Sequence, residues 1–168
     1  MGALTAEARR LGVAAAAIVG LRGEVEAGAP WPLAELYGVE PEASWGPPEL
    51  LAHVEEYLRY WLGEIERVLG GDGVTPVPFG RVATDTLRLG VIGRDRALPL
   101  RELFSRIEAD AARVANRVTE LDEAAASARG LHPTRGEMTV REMLEPFLVG
   151  HTEGHVTQLR EILAAATP

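Results

Sequence analysis

The sequence predicts an all-α fold, a four-helix bundle in one domain spanning residues 1–168, with a long loop between the second and third helices. Three observations carry this. Four stretches place apolar residues at helical spacing, and little of the chain alternates like a strand. No internal repeat or low-complexity segment interrupts them. The length of 168 residues, 46% hydrophobic and 25% charged, is that of one ordinary globular domain with a sizeable core.

The first predicted helix covers 5–26, with Leu4, Ala8, Leu11, Ala15, Ile18 and Val25 on one stripe that Arg22 interrupts. Arg9 and Arg10 before the apolar run 11–21 imitate a signal peptide, but Glu7 lies in the would-be basic segment and no small-residue cleavage site follows. The run is also short of the ~20 residues that span a bilayer. It is expected to be a core helix, and the protein cytoplasmic with no membrane partner. Gly28, Pro30 and Pro32 end the helix, and a connector with a short helical candidate at 33–37 follows.

Gly46-Pro47-Pro48-Glu49 announces the second helix. Prolines in the first turn lose no hydrogen bond, and the carboxylate meets the positive end of the dipole. Leu50, Val54, Leu58, Trp61, Ile65 and Val68 form its apolar face, and Gly70-Gly71 stop it. The loop 70–99 is rich in Gly and Pro, and 84–89 fits a helical turn or a short strand equally. A third helix is expected over 99–129, where Leu100, Leu103, Ile107, Ala111, Val114, Val118, Leu121 and Ala125 follow a heptad. The fourth opens with the capping box Thr139-Val140-Arg141-Glu142 and runs to about 165, with Pro146 expected to bend it.

Composition removes several chemistries. Seventeen basic against 25 acidic residues give a formal charge of −8, which disfavours a nucleic-acid partner. All seventeen are arginine, so there is no Schiff-base or P-loop lysine. The absence of cysteine excludes thiolate metal sites and a catalytic thiol. Chemistry must come from histidine, carboxylates, hydroxyls, arginine or a bound cofactor.

Two of the four histidines form His151-Thr152-Glu153-Gly154-His155, and residues four apart share one helix face. Val140, Leu144, Phe147, Leu148, Leu159 and Ile162 all fall within roughly 80° of His151, so the pair lies in the buried stripe. Two buried imidazoles are costly unless partnered. Either they hydrogen-bond within the core, or they share a metal ion, which the i,i+4 spacing suits. Thr152 stands where a zincin carries its glutamate, and Glu153, about 200° from His151, faces away. His53, beside the apolar stripe of the second helix, is the natural third ligand. Three imidazoles would leave a coordination position open for water or substrate. His132, in Leu131-His132-Pro133, is expected to be a loop residue without a role.

Trp45-Gly-Pro-Pro-Glu-Leu-Leu-Ala-His53, then Thr139-Val-Arg-Glu, then Gly150-His-Thr-Glu-Gly-His-Val-Thr-Gln158-Leu-Arg together resemble the DinB-like superfamily. The resemblance implies a four-helix bundle holding a divalent metal (zinc first, with nickel or iron as alternatives) on His53, His151 and His155. It also implies kinship with thiol-dependent enzymes, among them bacillithiol S-transferases and mycothiol-dependent maleylpyruvate isomerase. A low-molecular-weight thiol is therefore a candidate second cofactor, a small molecule the expected substrate, and a homodimer the expected assembly.

Around these ligands, Gln158 lies on the same buried face and either orients a histidine, contacts substrate or makes a packing hydrogen bond. Tyr57 and Trp61 are candidates for the pocket wall or plain core. Glu56 is a candidate fourth ligand or general base, or a surface carboxylate. Arg22 and Arg88, with Arg81 and Arg94, are candidates for recognising an anionic substrate. The leading expectation is a metal-dependent transferase or hydrolase that activates a water or thiol at the ion. The alternative is a non-catalytic metal-binding or interaction protein with the same bundle. A di-iron carboxylate bundle fits poorly, because Glu49 and His53 are four apart rather than three.

Overall fold

A computed structural model describes residues 2–37 and 41–166. In chain order the elements are α1 (Thr5–Gly20), α2 (Arg22–Ala27), a 3-10 turn (Pro41–Ser44), α3 (Pro47–Leu69), β1 (Val77–Pro78), α4 (Thr86–Asp95), α5 (Leu100–Glu120) and α6 (Glu123–Ala126). Then follow β2 (Arg129–His132), β3 (Gly136–Thr139), α7 (Val140–Leu144), a π-helical turn (Glu145–Val149) and α8 (Gly150–Ala166). The protein is predominantly helical. Its long helices pack around one core, α1 against α5 and α8, and α3 against α5 and α8. Among the described residues, no helix is long and apolar enough to cross a membrane.

The apolar stripes lie where their spacing puts them. Leu50, Val54, Leu58, Trp61, Ile65 and Val68 of α3 are all buried, as are Leu103, Phe104, Ile107, Ala111, Val114 and Val118 of α5. Burying each large aliphatic side chain contributes about 1.5–3 kcal/mol relative to exposure. The start of α3 is fixed by Glu49, fully buried, whose carboxylate accepts the N–H groups of Gly46 (3.2 Å) and Ala34 (2.9 Å) and pairs with Arg96 (3.0 Å). One side chain thus ties the preceding connector and the end of α4 to the first turn of α3. At the other end of the chain, the Thr139 hydroxyl accepts the Glu142 N–H, and the Glu142 carboxylate accepts the Thr139 N–H at 2.8 Å, the expected capping box.

Several expectations require correction. The fold is not purely helical, because β1, β2 and β3 form a small sheet in that order. β1 runs parallel to β2, and β2 pairs antiparallel with β3 from Arg129↔Thr139 to His132↔Gly136. Gly136 closes the hairpin at φ +77°, in the left-handed region open to glycine. The first helix breaks at Leu21, whose N–H reaches back only three residues to the Ile18 carbonyl, and α2 then buries Val25. The third helix stops at Glu120 rather than near 129. Leu121 turns extended (ψ 128°), and the Asp122 carboxylate accepts the Ala125 N–H at 2.8 Å to start α6. The loop 70–99 contains α4, capped by Asp85, and β1. Pro146, which has no N–H to give, interrupts the fourth helix by widening one turn to π geometry, and the helix resumes at Gly150.

Candidate metal centre

Three elements deliver the site. α3 supplies His53, α8 supplies His151 and His155 one turn apart, and the 3-10 turn before α3 supplies Glu42. One ligand atom from each lies within 4.8 Å of all the others. The Nε2 atom of His151 sits 3.1 Å from that of His53 and 3.2 Å from that of His155. The Glu42 Oε1 atom lies 3.8 Å from His53 Nε2.

Hydrogen bonding makes this convergence informative. The Gln158 amide nitrogen donates to the Glu42 backbone carbonyl at 2.9 Å, so its oxygen faces His155 Nδ1, 2.9 Å away, and accepts from it. His155 therefore carries its proton on Nδ1 and presents a bare lone pair at Nε2. A neutral His151 has one Nε2, which either donates to His155 or accepts from His53. One proton at that atom can at most be shared between the two contacts, so they cannot both be full two-centre hydrogen bonds. Protonating the rings does not relieve them, since all three are held below the ordinary histidine value, His53 well below it and His151 at about 3. Burial is the main cause in each case, and the Arg88 charge adds to it. A cation among three lone pairs satisfies every ring at once, so the donor set fits a divalent metal ion.

The surroundings hold the rings in place. Tyr57, wholly buried, stands edge-on to His53 and His151, and its hydroxyl lies 2.7 Å from the Thr152 hydroxyl. Thr152 in turn donates to the Leu148 carbonyl at 2.6 Å, within the π turn. Trp45 meets His53 edge-on at 5.3 Å. Arg88, buried at the start of α4, binds the Ala83 carbonyl at 2.7 Å and pairs with Glu42. His151 is only half-buried, and it opens with Tyr57, Trp61 and Arg88 onto a cavity of about 340 Å³.

The sequence-derived candidates separate cleanly. His53, His151, His155, Gln158, Tyr57, Trp61 and Arg88 come together at the cluster or its cavity. Arg22 does not; it is exposed and paired with Glu26 at 2.8 Å. Arg94 is likewise engaged elsewhere, on Asp95. Glu56 binds Arg81 at 2.6 Å instead of joining the histidines, and the carboxylate that does join them is Glu42. Glu42 sits in a connector rich in acidic residues and outside any periodic stripe, so no sequence signal separates it from its neighbours. His132 is no loop residue either. It lies in β2, buried, stacked on Phe147 at 5.2 Å, and lines the same cavity.

The chain belongs to the DinB superfamily, whose family profile matches residues 25–159. That match contains all four members of the cluster together with Gln158 and Arg88. No curated protein and no solved structure matches the chain.

Proposed function

We propose that the protein is a metal-dependent enzyme, its long helices forming the four-helix bundle expected of a DinB-like protein and its ion held by His53, His151 and His155. The observation that carries this is the meeting of three Nε2 atoms whose protons cannot satisfy one another, two of them, on His53 and His151, on rings that line an open cavity. Zinc is the first choice of ion. When bound, a divalent ion supplies Lewis acidity that lowers the pKa of a thiol or water reaching it. Gln158 holds His155 in the tautomer that ligates, and Arg88 holds Glu42 beside the cluster. Tyr57, Trp61 and Phe147 exclude water from one wall. A low-molecular-weight thiol supplies the nucleophile that a chain without cysteine lacks, which favours S-transfer first and metal-assisted hydrolysis second. The family resemblance extends the proposal to a small-molecule substrate, a homodimer and a cytoplasmic location.

One observation favours a second, non-catalytic function. Glu42 stands within reach of the histidines, and with it as fourth ligand the sphere is complete and the ion structural. The test is a screen of zinc-loaded and chelator-stripped protein for thiol consumption with small electrophiles and for ester hydrolysis. Turnover that requires both the ion and His53 supports the enzyme. A Glu42→Gln variant that loses the ion, with no turnover in the wild type, supports the structural site.

A further inference from the structure

The cavity above the histidine cluster has a composition at odds with the rest of the molecule. A chain of formal charge −8 lines it with three arginines, Arg81, Arg88 and Arg135, and one carboxylate, Glu42. Two of the three cations are already neutralised, Arg88 by Glu42 and Arg81 by Glu56 just outside the cavity. Arg135 is not. It lies on the exposed turn between β2 and β3, its guanidinium is 5.3 Å from the Phe147 ring, and among the described residues no carboxylate pairs with it. Between Arg135 and His151 the wall is aromatic, with Trp61 stacked on Phe147 at 4.0 Å.

The turn that carries Arg135 is built around a buried imidazole. His132 Nδ1 accepts the backbone N–H groups of Thr134 (3.2 Å) and Arg135 (3.3 Å). Its ring fits against Phe147 on one side, and on another edge against Gly80, where an added Cβ would fall 2.3 Å from His132 Cδ2. An exposed arginine normally sweeps a wide volume. Here its backbone is pinned from beneath by a side chain that is itself locked in place.

We propose that Arg135 is the specificity-determining residue of this cavity, with His132 as its positioning residue, and that the ligand is a small monoanion with a flat apolar body. The carboxylate, or a comparable oxyanion, pairs with Arg135 at the hairpin end. The apolar body lies along Trp61 and Phe147, and the opposite end reaches the histidines. This rests on the assignment of the histidine cluster as the reacting end, and it adds the class of molecule that reaches it. Field lines in a low-dielectric cleft with net positive lining concentrate anions from solution, against the repulsion of the acidic exterior.

The test is calorimetric titration of zinc-loaded protein with 4-mercaptobenzoate and with 4-mercaptobenzamide, which differ only in the charge at one end. The carboxylate is expected to bind about tenfold more tightly than the amide, as one charge-assisted hydrogen bond contributes. Arg135→Gln, a change at an exposed residue, brings the carboxylate affinity down to that of the amide with the zinc content unchanged, and Arg135→Lys restores part of the preference. His132→Phe keeps an aromatic ring but no acceptor and loses the preference, whereas His132→Asn retains an acceptor and keeps it. A wild type that does not prefer the carboxylate, or an Arg135→Gln protein that still does, overturns the proposal. If no zinc binds, the metal assignment fails separately, and benzoate against benzamide on the metal-free protein reads the Arg135 preference by the same criteria.

Discussion

The hydroxyl chain behind the histidines has a direction, and that direction predicts unequal costs for its two members. Thr152 has one proton and spends it on the Leu148 carbonyl at 2.6 Å, so the 2.7 Å contact with Tyr57 requires the tyrosine to donate. Burial pushes the Tyr57 hydroxyl above its ordinary value of 10, so it remains a donor at any working pH. Tyr57→Phe removes one hydrogen bond and leaves Thr152 its bond to Leu148, at a cost of about 1 kcal/mol. Thr152→Val is worse. It strands a fully buried O–H without an acceptor and takes a donor from the Leu148 carbonyl, for about 2–3 kcal/mol. For a chain of this size these correspond to roughly 2–4 °C and 5–10 °C in melting temperature. The double variant should be more stable than Thr152→Val alone, because the stranded hydroxyl is gone, giving a coupling of about 1–2 kcal/mol. Urea melts of chelator-treated protein, read by circular dichroism, measure all three. Thr152→Val no worse than Tyr57→Phe would refute the assigned direction.

Other consequences follow from the same structure. Metal-free protein should lose stability in acid: His53, His151 and His155 titrate below their unfolded value of about 6.5, so stability is full above that pH and is lost as pH falls through it. Each ring that stays neutral costs about 1.4 kcal/mol per pH unit, so His53 and His151, the two held furthest down, should cost about 2–3 kcal/mol in urea melts between pH 6 and 5, and a flat profile would contradict the burial of the cluster. Gly80→Ala should cost more than Gly136→Ala in thermal melts, by about 1–2 kcal/mol. Both have positive φ (85° and 77°), but only at Gly80 does the new methyl meet another side chain, His132. Glu49→Gln should destabilise by about 3 kcal/mol, since Arg96 keeps its charge and loses its buried partner; a change under about 0.5 kcal/mol in a urea melt would show that the tie across α3 and α4 contributes little.

The long helices were legible because each buries one stripe, and a stripe is a periodic signal. Capping chemistry was legible because it is written in adjacent residues, at Gly46-Pro47-Pro48-Glu49 and Thr139–Glu142. The C-terminal end of the third helix was not, although Asp122, which accepts the Ala125 N–H, is the kind of residue that caps a new helix. The heptad continued through Leu121, which is buried from an extended backbone as readily as from a helical one. The sheet escaped because strands of two to four residues are too short to show alternation. At the site, His151 and His155 declared themselves by spacing, and Gln158 by its angle. Glu42 and His132 reach the cavity only through tertiary folding, one on a connector and one on a strand. Arg22 looked functional because it broke an apolar stripe, but the helix itself breaks at Leu21 and carries it out to solvent beside Glu26.

We infer that the three imidazoles converge because an ion belongs among them. Elemental analysis by plasma mass spectrometry of the purified protein, beside a His151→Ala/His155→Ala double variant, tests it directly. Close to one zinc, nickel or iron per chain is expected in the wild type, lost in the variant. A wild type that stays metal-free after incubation with each ion, while the variant folds with equal stability, would show that the histidines are packing residues and that no ion belongs there.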